Sequence, residues 1–291
     1  MSIFYKKINI LIIILILLLI LFKIYYKTKK IEIQGHRGAR GNYPENTLVA
    51  FKFALDNNID NLELDLQLTK DNILVIHHDN DTNSNICING NGNIPIKSLT
   101  YEEIKKYDCG SKENNNFPNQ IRVPNEKIPT FKELLDMIRT NYYTRNIKLN
   151  VEIKTTKELD TYEEVKNFAD ILINIICEYG LIKSTIIQSF DERALKYVRQ
   201  IEPNIKTSFL IEEINIDDKI ILLAKSLDVQ IISPDYLLLN KENVQMMHIN
   251  GFEVLPWTVN DIHTLKKMIE YKVDGIISDY PTVMKDYIDM N

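Results

Sequence analysis

The chain has 291 residues, of which 45% are hydrophobic and 26% are charged, an ordinary globular composition. Its formal net charge is -5 at pH 7, which excludes a basic surface for nucleic acid, so we expect no nucleic-acid partner. Beyond the hydrophobic N-terminus, roughly 260 residues remain, enough for one large domain with a well-buried core.

The first predicted element is an N-terminal membrane anchor within residues 1–30. Residues 8–22 are apolar apart from Asn9, close to the length of about 20 residues that a spanning helix needs. Lys6 and Lys7 precede the run as in a signal peptide, but no small-residue cleavage site follows it. We therefore expect an uncleaved single-pass anchor. Lysines are more numerous after the span, which favours a cytoplasmic main domain, whereas a signal-anchor reading favours the opposite side, and both remain open.

Short β-rich runs alternate with amphipathic helical stretches through residues 31–291. The predicted strands are Ile31–Gln34, Asn61–Leu68, Ile147–Ile153, Thr185–Ser189, Lys206–Leu210, Gln230–Ser233, Phe252–Trp257 and Gly275–Ser278. The predicted helices are Asn46–Asp56, Tyr162–Tyr179, Asp191–Gln200, Asp218–Leu227, Lys241–Asn250 and Asp261–Tyr271. Ile73–His77 follows a turn and is predicted as the second arm of a hairpin with strand two.

The strand–helix alternation predicts an α/β fold, a TIM (β/α)8 barrel of eight parallel strands. A doubly wound open sheet is the alternative, but it would need a Gly-rich phosphate loop after the first strand, and the sequence has none there. Residues 79–129 interrupt the alternation and are rich in Asn, Gly, Pro and Lys. We expect them to form an inserted subdomain or lid over the barrel mouth.

Three cysteines are present, at spacings that match no zinc or redox motif. Cys177 lies in an apolar helical stretch and is expected to be buried. Cys87 and Cys109 both fall in the insertion, and the sequence leaves open whether they pair, which would require an oxidising compartment.

Polar side chains cluster where predicted strands end, which is where a TIM barrel builds its active site. They form three groups along the chain: His36 and Arg37 after strand one, with Glu45 and Asn46 entering the first helix; Glu63 and Asp65 on strand two, with His78 after the hairpin; and Glu152 and Lys154 on strand three. A purely structural core has no reason to collect so many charged groups at one end.

The spacing of the acids predicts a metal site. Side chains at i and i+2 of a strand share a face, so Glu63 and Asp65 point the same way. With Glu152 they bring three carboxylates together, which would repel one another without a cation between them. Hard oxygen ligands favour Ca2+ or Mg2+ over zinc.

The hairpin predicts how His78 reaches this site. If Leu68 pairs with Ile73, the antiparallel register places His78 opposite Glu63. A slip of one residue would undo that pairing.

These motifs resemble those of the glycerophosphodiester phosphodiesterase family. The matching segments are His36-Arg37-Gly38 with Pro44-Glu45-Asn46-Thr47, Glu63-Leu64-Asp65 with Thr69-Lys70-Asp71 and His78-Asp79, Glu152-Ile153-Lys154, Gln188-Ser189-Phe190, Trp257-Thr258-Val259-Asn260, and Asp274–Pro281. They occur in the family's order, with compatible spacing, from about Gly35 to Pro281.

The resemblance implies a TIM barrel that hydrolyses glycerophosphodiesters to glycerol 3-phosphate and an alcohol with a divalent metal. By position, His36 and His78 would be the acid–base pair, and Glu63, Asp65 and Glu152 the metal ligands. Arg37 and Lys154 would contact the phosphate, and Trp257 would line the substrate cleft. Glu45, Asn46 and Gln188 would be supporting residues. The nucleophile would be water or, as we favour, the glycerol 2-hydroxyl.

One departure concerns the leaving alcohol: the Arg that the family often carries after the His-Asp pair is missing from Asn80–Asn85. A lysophospholipase-D-type activity on lysophospholipids is the alternative, because the anchor would hold the site near lipid. The head group, the preferred cation, the membrane side and the oligomeric state remain open.

Overall fold

A computed structural model describes residues 14, 16, 17, 31–90, 92–212 and 215–290. The chain divides into two compact units, Met1–Glu32 and Ile33–Asn291. The predicted anchor, residues 1–30, lies outside the described residues except at three positions. Within the described ranges, no helix combines the length and apolar character needed to cross a membrane.

Among the described residues, nine strands form one sheet, of which eight build a nearly closed parallel barrel. The strands are β1 (Glu32–Gly35), β2 (Asn61–Leu68), β3 (Leu74–Ile76), β4 (Lys148–Ile153), β5 (Thr185–Ser189), β6 (Lys206–Ile211), β7 (Ile231–Pro234), β8 (Glu253–Val254) and β9 (Gly275–Ser278). Their order is β8-β7-β6-β5-β4-β2-β1-β9, and β3 pairs antiparallel with β2 outside this path. The prediction of a parallel eight-stranded barrel is confirmed.

Backbone hydrogen bonds bring the two ends of this order together. The Asp274 amide donates to Val254 O at 3.0 Å and the Ile277 amide donates to Pro256 O at 2.9 Å. These bonds join β9 to β8 and the segment after it, while β9 also pairs with β1. The alternative of an open doubly wound sheet is therefore wrong, because such a sheet keeps two unpaired edges.

Helices cover the outside of the barrel. They are α1 (Leu48–Asp56), α2 (Tyr101–Ile104), α3 (Phe131–Asn141), α4 (Tyr162–Glu178), α5 (Glu192–Ile201), α6 (Asp218–Ser226), α7 (Lys241–Ile249), α8 (Ile262–Tyr271) and α9 (Pro281–Met290). Thr47, Thr130 and Thr161 cap α1, α3 and α4 by accepting a backbone N–H at the first turn, which satisfies donors that have no partner within the helix. Helices α3 and α9 were not predicted from the sequence.

The main core lies between the barrel and its helices rather than inside the barrel. On β2, Leu62, Leu64 and Leu66 are fully buried in the same apolar cluster as Phe51 of α1. Alternation along the strand then turns Glu63 and Asp65 to the barrel interior. The apolar set that fixes the strand's orientation thus also places its two acids.

The β2–β3 register differs from the prediction by one residue. Leu68 pairs with Leu74, and Leu66 pairs with Ile76, so the predicted pairing of Leu68 with Ile73 is wrong. The hairpin turn is one residue longer than assumed because the Ile73 amide bonds to Thr69 Oγ1 and its carbonyl accepts from the Thr69 amide. β3 ends at Ile76, two residues before His78. The position of His78 is therefore set by the loop after β3 and not by strand pairing.

The insertion, residues 79–129, packs around a small apolar cluster of its own. Cys87, Ile96, Ile104 and Cys109 are buried in it, and a disulfide joins Cys87 to Cys109. A capping box of Thr100 and Glu103 begins α2.

Cys177, by contrast, is exposed, so the expectation of a buried side chain is wrong. The buried face of α4 includes Val165, Phe168, Leu172 and Ile176. Position 177 is one residue beyond this series, and a rotation of about 100° per residue turns its side chain away from the core.

Candidate active site

A cavity of about 490 Å³ opens at the C-terminal ends of the barrel strands. Nine of the residues predicted from sequence line it: His36, Arg37, Glu63, Asp65, His78, Glu152, Lys154, Gln188 and Trp257. The other two, Glu45 and Asn46, lie behind the lining, where they bond to Arg37 and Asp65. The structure thus brings together residues that are more than 200 positions apart in the chain.

Three buried carboxylates form the centre of the cavity. Glu63, Asp65 and Glu152 each offer an oxygen within 4.8 Å of the others. The parallel pairing of β2 with β4 explains this, because Asp65 lies directly beside Glu152 in the register. Glu63 is two residues earlier on the same face of β2.

Burial and repulsion shift the pKa values of these acids. Burial, with the charge of Asp65 beside it, raises the pKa of Glu63 well above its usual value. Burial also raises the pKa of Glu152 to about 7, and the nearby Asp65 adds to this against the opposing charge of Lys154. For Asp65 burial acts in the same upward direction, but the charges of Arg37, His78 and Lys154 and the hydrogen bond from Asn46 together outweigh it, so the pKa lies well below its ordinary value.

Arg37 supports two of the three acids at once. Its backbone N–H donates to Glu63 Oε2 at 2.9 Å, and its side chain lies 3.3 Å from Asp65 Oδ2, measured from Nε. Glu45 holds the other end of the guanidinium, 2.7 Å from Nη1. This double use requires a left-handed backbone, with φ of 51° at Arg37, a conformation that residues other than glycine rarely adopt. Asn46, with φ of 56°, donates to Asp65 Oδ2 at 2.8 Å.

A layer of side-chain amides lies beneath the acids inside the barrel. Gln188 of β5 donates from Nε2 to Glu63 Oε1 at 2.8 Å and accepts from Asn150 Nδ2 at 3.0 Å. The same Asn150 amide reaches Gln34 Oε1 of β1 at 2.8 Å. On the cavity side, Lys154 Nζ lies 3.0 Å from Glu152 Oε1. The amides are neutral, so Arg37 and Lys154 supply the positive charge next to the carboxylates.

His36 is fixed by a carboxylate that the sequence analysis did not assign. Its Nδ1 lies 2.6 Å from Asp279 Oδ1, at the end of β9, while Nε2 lies 3.9 Å from Glu63 Oε2. Burial lowers the pKa of His36 to about 4 despite the attraction of Asp279. Burial alone would raise the pKa of Asp279, but His36 and Arg40 hold it below its usual range. His36 is therefore neutral near pH 7, with its proton on Nδ1 and a lone pair on Nε2.

His78 follows the β2–β3 hairpin and lines the same cavity. Its side chain is 31% exposed. Its Nδ1 lies 2.7 Å from Asp79 Oδ1. The hydrogen bond with His78 is the largest influence on Asp79, whose pKa lies below its usual value. Both histidines thus have an ionised carboxylate on Nδ1, which fixes the ring and leaves Nε2 for other partners.

An aromatic pair also lines the cavity. Trp257 donates from Nε1 to Ser233 O at 2.8 Å, and its ring meets Phe190 edge to face with centroids 5.8 Å apart. Phe190 is 36% exposed. One wall of the cavity is therefore apolar and the other strongly charged.

Three residues at this site were missed as functional candidates: Asp279, Arg40 and Asn260. A signal was present for Asp279, because closure of a barrel puts the end of the last strand beside the end of the first, where His36 lies. Arg40 and Asn260 bond to Asp279, and no strand-end rule points to either.

The chemistry of the donor set fits a divalent cation. The three carboxylates offer hard oxygen atoms that could bind Ca2+ or Mg2+. The raised pKa values of Glu63 and Glu152 mean that full ionisation of the cluster is unfavourable without an added positive charge.

Comparisons with known proteins agree with the geometry. A model described as the glycerophosphoryl diester phosphodiesterase family matches residues 36–283. Curated relatives include a glycerophosphodiester phosphodiesterase of Caldanaerobacter subterraneus subsp. tengcongensis, 34% identical over 255 residues, covering 88% of this chain and 96% of the relative. One from Bacillus subtilis is 32% identical over 255 residues and covers 84% of this chain and 82% of the relative.

A solved structure and a more distant curated relative are also similar to this chain. The crystal structure of a proposed glycerophosphoryl diester phosphodiesterase from Silicibacter pomeroyi has a TM-score of 0.84 and 28% identity, covering 90% of this chain and 94% of that one. A lysophospholipase D of Homo sapiens is 27% identical over 279 residues, covering 87% of this chain and 84% of the relative.

The acidic cluster predicts that a divalent cation stabilises the protein more at pH 8 than at pH 5. Because the pKa of Glu152 is raised to about 7 from 4.5, its contribution to stability is present below pH 4.5 and is lost as pH rises through about 7. A cation offsets that loss. At about 100 times its Kd, Ca2+ or Mg2+ should add about 2.7 kcal/mol to the free energy of unfolding, which raises Tm by roughly 5–10 °C.

Thermal denaturation followed by circular dichroism, with EDTA or added cation at both pH values, measures this shift. Glu152→Gln should reduce the shift at pH 8, whereas the exposed Glu158→Gln should leave it unchanged. Equal shifts in Glu152→Gln and the wild type would contradict the site.

Proposed function

The chain belongs to the glycerophosphoryl diester phosphodiesterase family and is a glycerophosphodiester phosphodiesterase, and from this we propose a metal-dependent mechanism with two histidines. Glu63, Asp65 and Glu152 hold the divalent cation, while His36 and His78 transfer the protons. The substrate is a glycerophosphodiester, and the products are sn-glycerol 3-phosphate and an alcohol.

One observation carries the proposal: two carboxylate-held imidazoles and the acidic cluster share one cavity. A phosphodiester anion resists attack, and an alkoxide leaves poorly. Hydrolysis therefore needs positive charge near the phosphoryl oxygens, a base for the nucleophile and an acid for the leaving oxygen. The cavity offers a group for each need.

The two histidines have different surroundings, and we assign their roles from these. His36 is buried and neutral, with its proton on the Asp279 side and a lone pair on Nε2, so it acts as the base. It accepts the proton of the glycerol 2-hydroxyl, which attacks phosphorus to give a cyclic phosphodiester. His78 is more exposed and gives its Nε2 proton to the departing alcohol oxygen. Water then opens the cyclic intermediate with the two roles reversed.

Arg37 and Lys154 bring positive charge to the phosphoryl group. Both line the cavity, and each already contacts a carboxylate of the cluster, so the substrate meets cations that the protein holds in place. A divalent cation bound at the carboxylates would further offset charge on the phosphoryl oxygens. Trp257 and Phe190 provide an apolar wall against which the carbon chain of the substrate packs.

The roles of the histidines are tested by replacing each with alanine. His36→Ala and His78→Ala should each lower kcat for glycerophosphocholine by about 100-fold or more, because each removes one proton-transfer step. The cation-induced rise in Tm should persist in both, since neither imidazole is proposed as a metal ligand. His263→Ala, on the exposed face of α8, is the matched control and should keep wild-type kcat. Full turnover in either single variant would overturn the assignment.

A lysophospholipid substrate is the second candidate, and apolar groups near the mouth favour it. Phe190 lines the cavity, and Leu237, in the turn that follows β7, is 73% exposed. An acyl chain leaving the cavity on this side would cover both. The relation to lysophospholipase D is more distant than the relation to the bacterial phosphodiesterases, so the water-soluble diester is the first choice.

A substrate comparison separates the two activities. With glycerophosphocholine and lysophosphatidylcholine, each with and without EDTA, we expect kcat/KM for the first to be at least about tenfold higher. EDTA should abolish both activities. Leu237→Ser should leave turnover of glycerophosphocholine unchanged, since it does not line the cavity. Preference for lysophosphatidylcholine, lost in Leu237→Ser, would establish the second function instead.

We further propose that residues 8–22 tether the enzyme to a membrane, with the barrel on the side away from the cytoplasm. The apolar run supports the tether. The Cys87–Cys109 disulfide supports the side, because such bonds persist in oxidising compartments and are rare in the cytosol. This orientation is the one that a signal anchor would give. The distribution of lysines around the span favours the opposite orientation.

The proposed location is tested by alkylating thiols in acid-quenched cells before and after reduction. Cys177 is exposed and free, so it should be labelled at once and serves as the internal control. Cys87 and Cys109 should be labelled only after reduction, and the enzyme should sediment with membranes. Immediate labelling of all three cysteines would place the barrel in the cytoplasm, and a wholly soluble enzyme would contradict the tether.

A further inference from the structure

The insertion touches the barrel next to His36 through a short segment, residues 117–121, which we call the strap. Gln120 Nε2 donates to Arg40 O at 2.6 Å and to Tyr43 O at 3.1 Å. The Ile121 amide donates to Asn42 O at 2.8 Å. These bonds fix the loop that follows β1, which begins with His36.

The strap also contacts the side chain of Arg40. The ring of Phe117 lies beneath the guanidinium, with Arg40 Cζ 4.9 Å from the ring centroid, a distance typical of a cation–π contact. Phe117 also packs against Tyr280, with centroids 6.3 Å apart. Tyr280 follows Asp279 in the chain, so the strap contacts Arg40 directly and the residue next to Asp279.

Arg40 and Asn260 together determine where the carboxylate of Asp279 lies. Arg40 donates from Nε to Oδ1 at 2.9 Å and from Nη2 to Oδ2 at 3.1 Å. Asn260 Nδ2 donates to Oδ2 at 2.7 Å, and the Asp279 amide donates back to Asn260 Oδ1 at 2.9 Å. With His36 Nδ1 on Oδ1, each oxygen accepts two hydrogen bonds, so the carboxylate cannot rotate without losing several of them.

We propose that the insertion positions His36, the proposed base: the strap holds Arg40, and Arg40 with Asn260 holds Asp279 on Nδ1 of His36. Phe117, Gln120, Arg40, Asn260 and Asp279 are positioning residues that need not touch substrate. This proposal rests on the proposed role of His36. It gives a function to the contacts between the strap and the barrel.

Direct binding of the phosphate by Arg40 is the competing interpretation, because Arg40 lines the cavity. Two of its nitrogens already donate to Asp279, and Nη1 lies 3.7 Å from Glu45 Oε2. A phosphate-binding arginine affects substrate affinity, whereas a positioning arginine affects the rate of the chemical step. The two interpretations therefore predict different kinetic changes.

The test combines strap variants with steady-state kinetics on the full-length enzyme. The double variant Phe117→Leu, Gln120→Ala removes the ring and the amide contact and should lower kcat about tenfold, because small misplacements of a reacting group are costly. Its KM should change by less than about twofold. Two control variants should have wild-type kcat. Phe117→Tyr alone keeps the aromatic ring, and Ile121→Ala removes a side chain that is 55% exposed.

A cycle with His36→Ala shows whether the strap acts through the histidine. With a glycerophosphodiester that carries a good chromogenic leaving group, the residual turnover of His36→Ala becomes measurable. In that background the strap double variant should cause less than about a twofold further loss. A full tenfold loss there, or a rise in KM with unchanged kcat, would overturn the proposal.

A second variant covers the case in which the strap double variant fails to fold. Arg40→Lys keeps the charge and the strap but replaces the planar two-nitrogen contact with Asp279 by a single rotatable ammonium group, so it should show the same loss of kcat with unchanged KM. Wild-type kcat in Arg40→Lys would overturn the inference. Full activity in His36→Ala would instead overturn the base assignment, so the two failures are distinguishable.

Discussion

Mutual repulsion among three buried carboxylates is the constraint on which the rest of the site depends. Glu63, Asp65 and Glu152 lie within 4.8 Å of one another because parallel pairing of β2 with β4 leaves them no other place. Charges so close in a low-dielectric interior are tolerated only when cations and hydrogen-bond donors surround them. The positive charges of Arg37 and Lys154, the donors of the amide layer and the proposed metal ion each reduce this repulsion.

The barrel was predictable because its strands have an unambiguous pattern. Asn61–Leu68, Thr185–Ser189 and Gly275–Ser278 have the predicted bounds. The first alternates leucines with polar residues, and the other two carry a pair of isoleucines between polar or turn residues. β8 is shorter than predicted, only Glu253–Val254, because the segment to Trp257 bonds to its neighbours outside a regular ladder.

Other parts of the fold depend on local chemistry that the predictions passed over. Helix α3 starts with the capping box of Thr130 and Glu133, and α9 starts at Pro281, a residue favoured at a first helical position. Both signals are visible in the sequence. The hairpin register could not be predicted in this way. The turn length depends on one hydrogen bond from the Ile73 amide to Thr69, and the periodicity of the sequence does not distinguish turns that differ by one residue.

The grouping of the acids was predicted from strand spacing, since alternation fixes where i and i+2 point, and the roles of the two histidines were predicted from the family resemblance. The partners of His36 were not, because Asp279 lies 243 residues away and only barrel closure brings the two together. Arg40 was missed for a further reason: its contact with Phe117 joins a loop of the barrel to an insertion without regular periodicity. Contacts of that kind follow from tertiary packing and from nothing local.

The left-handed backbone of Arg37 ties the stability of the protein to its chemistry. A glycine there would relax a conformation that costs an L-residue about 1–2 kcal/mol and would keep the N–H bond to Glu63. It would also delete the guanidinium beside Asp65. Without it the buried carboxylates of Asp65 and Glu45 would lose their cation, which costs more than relaxing the backbone gains, so stability and turnover both keep the strained arginine in place.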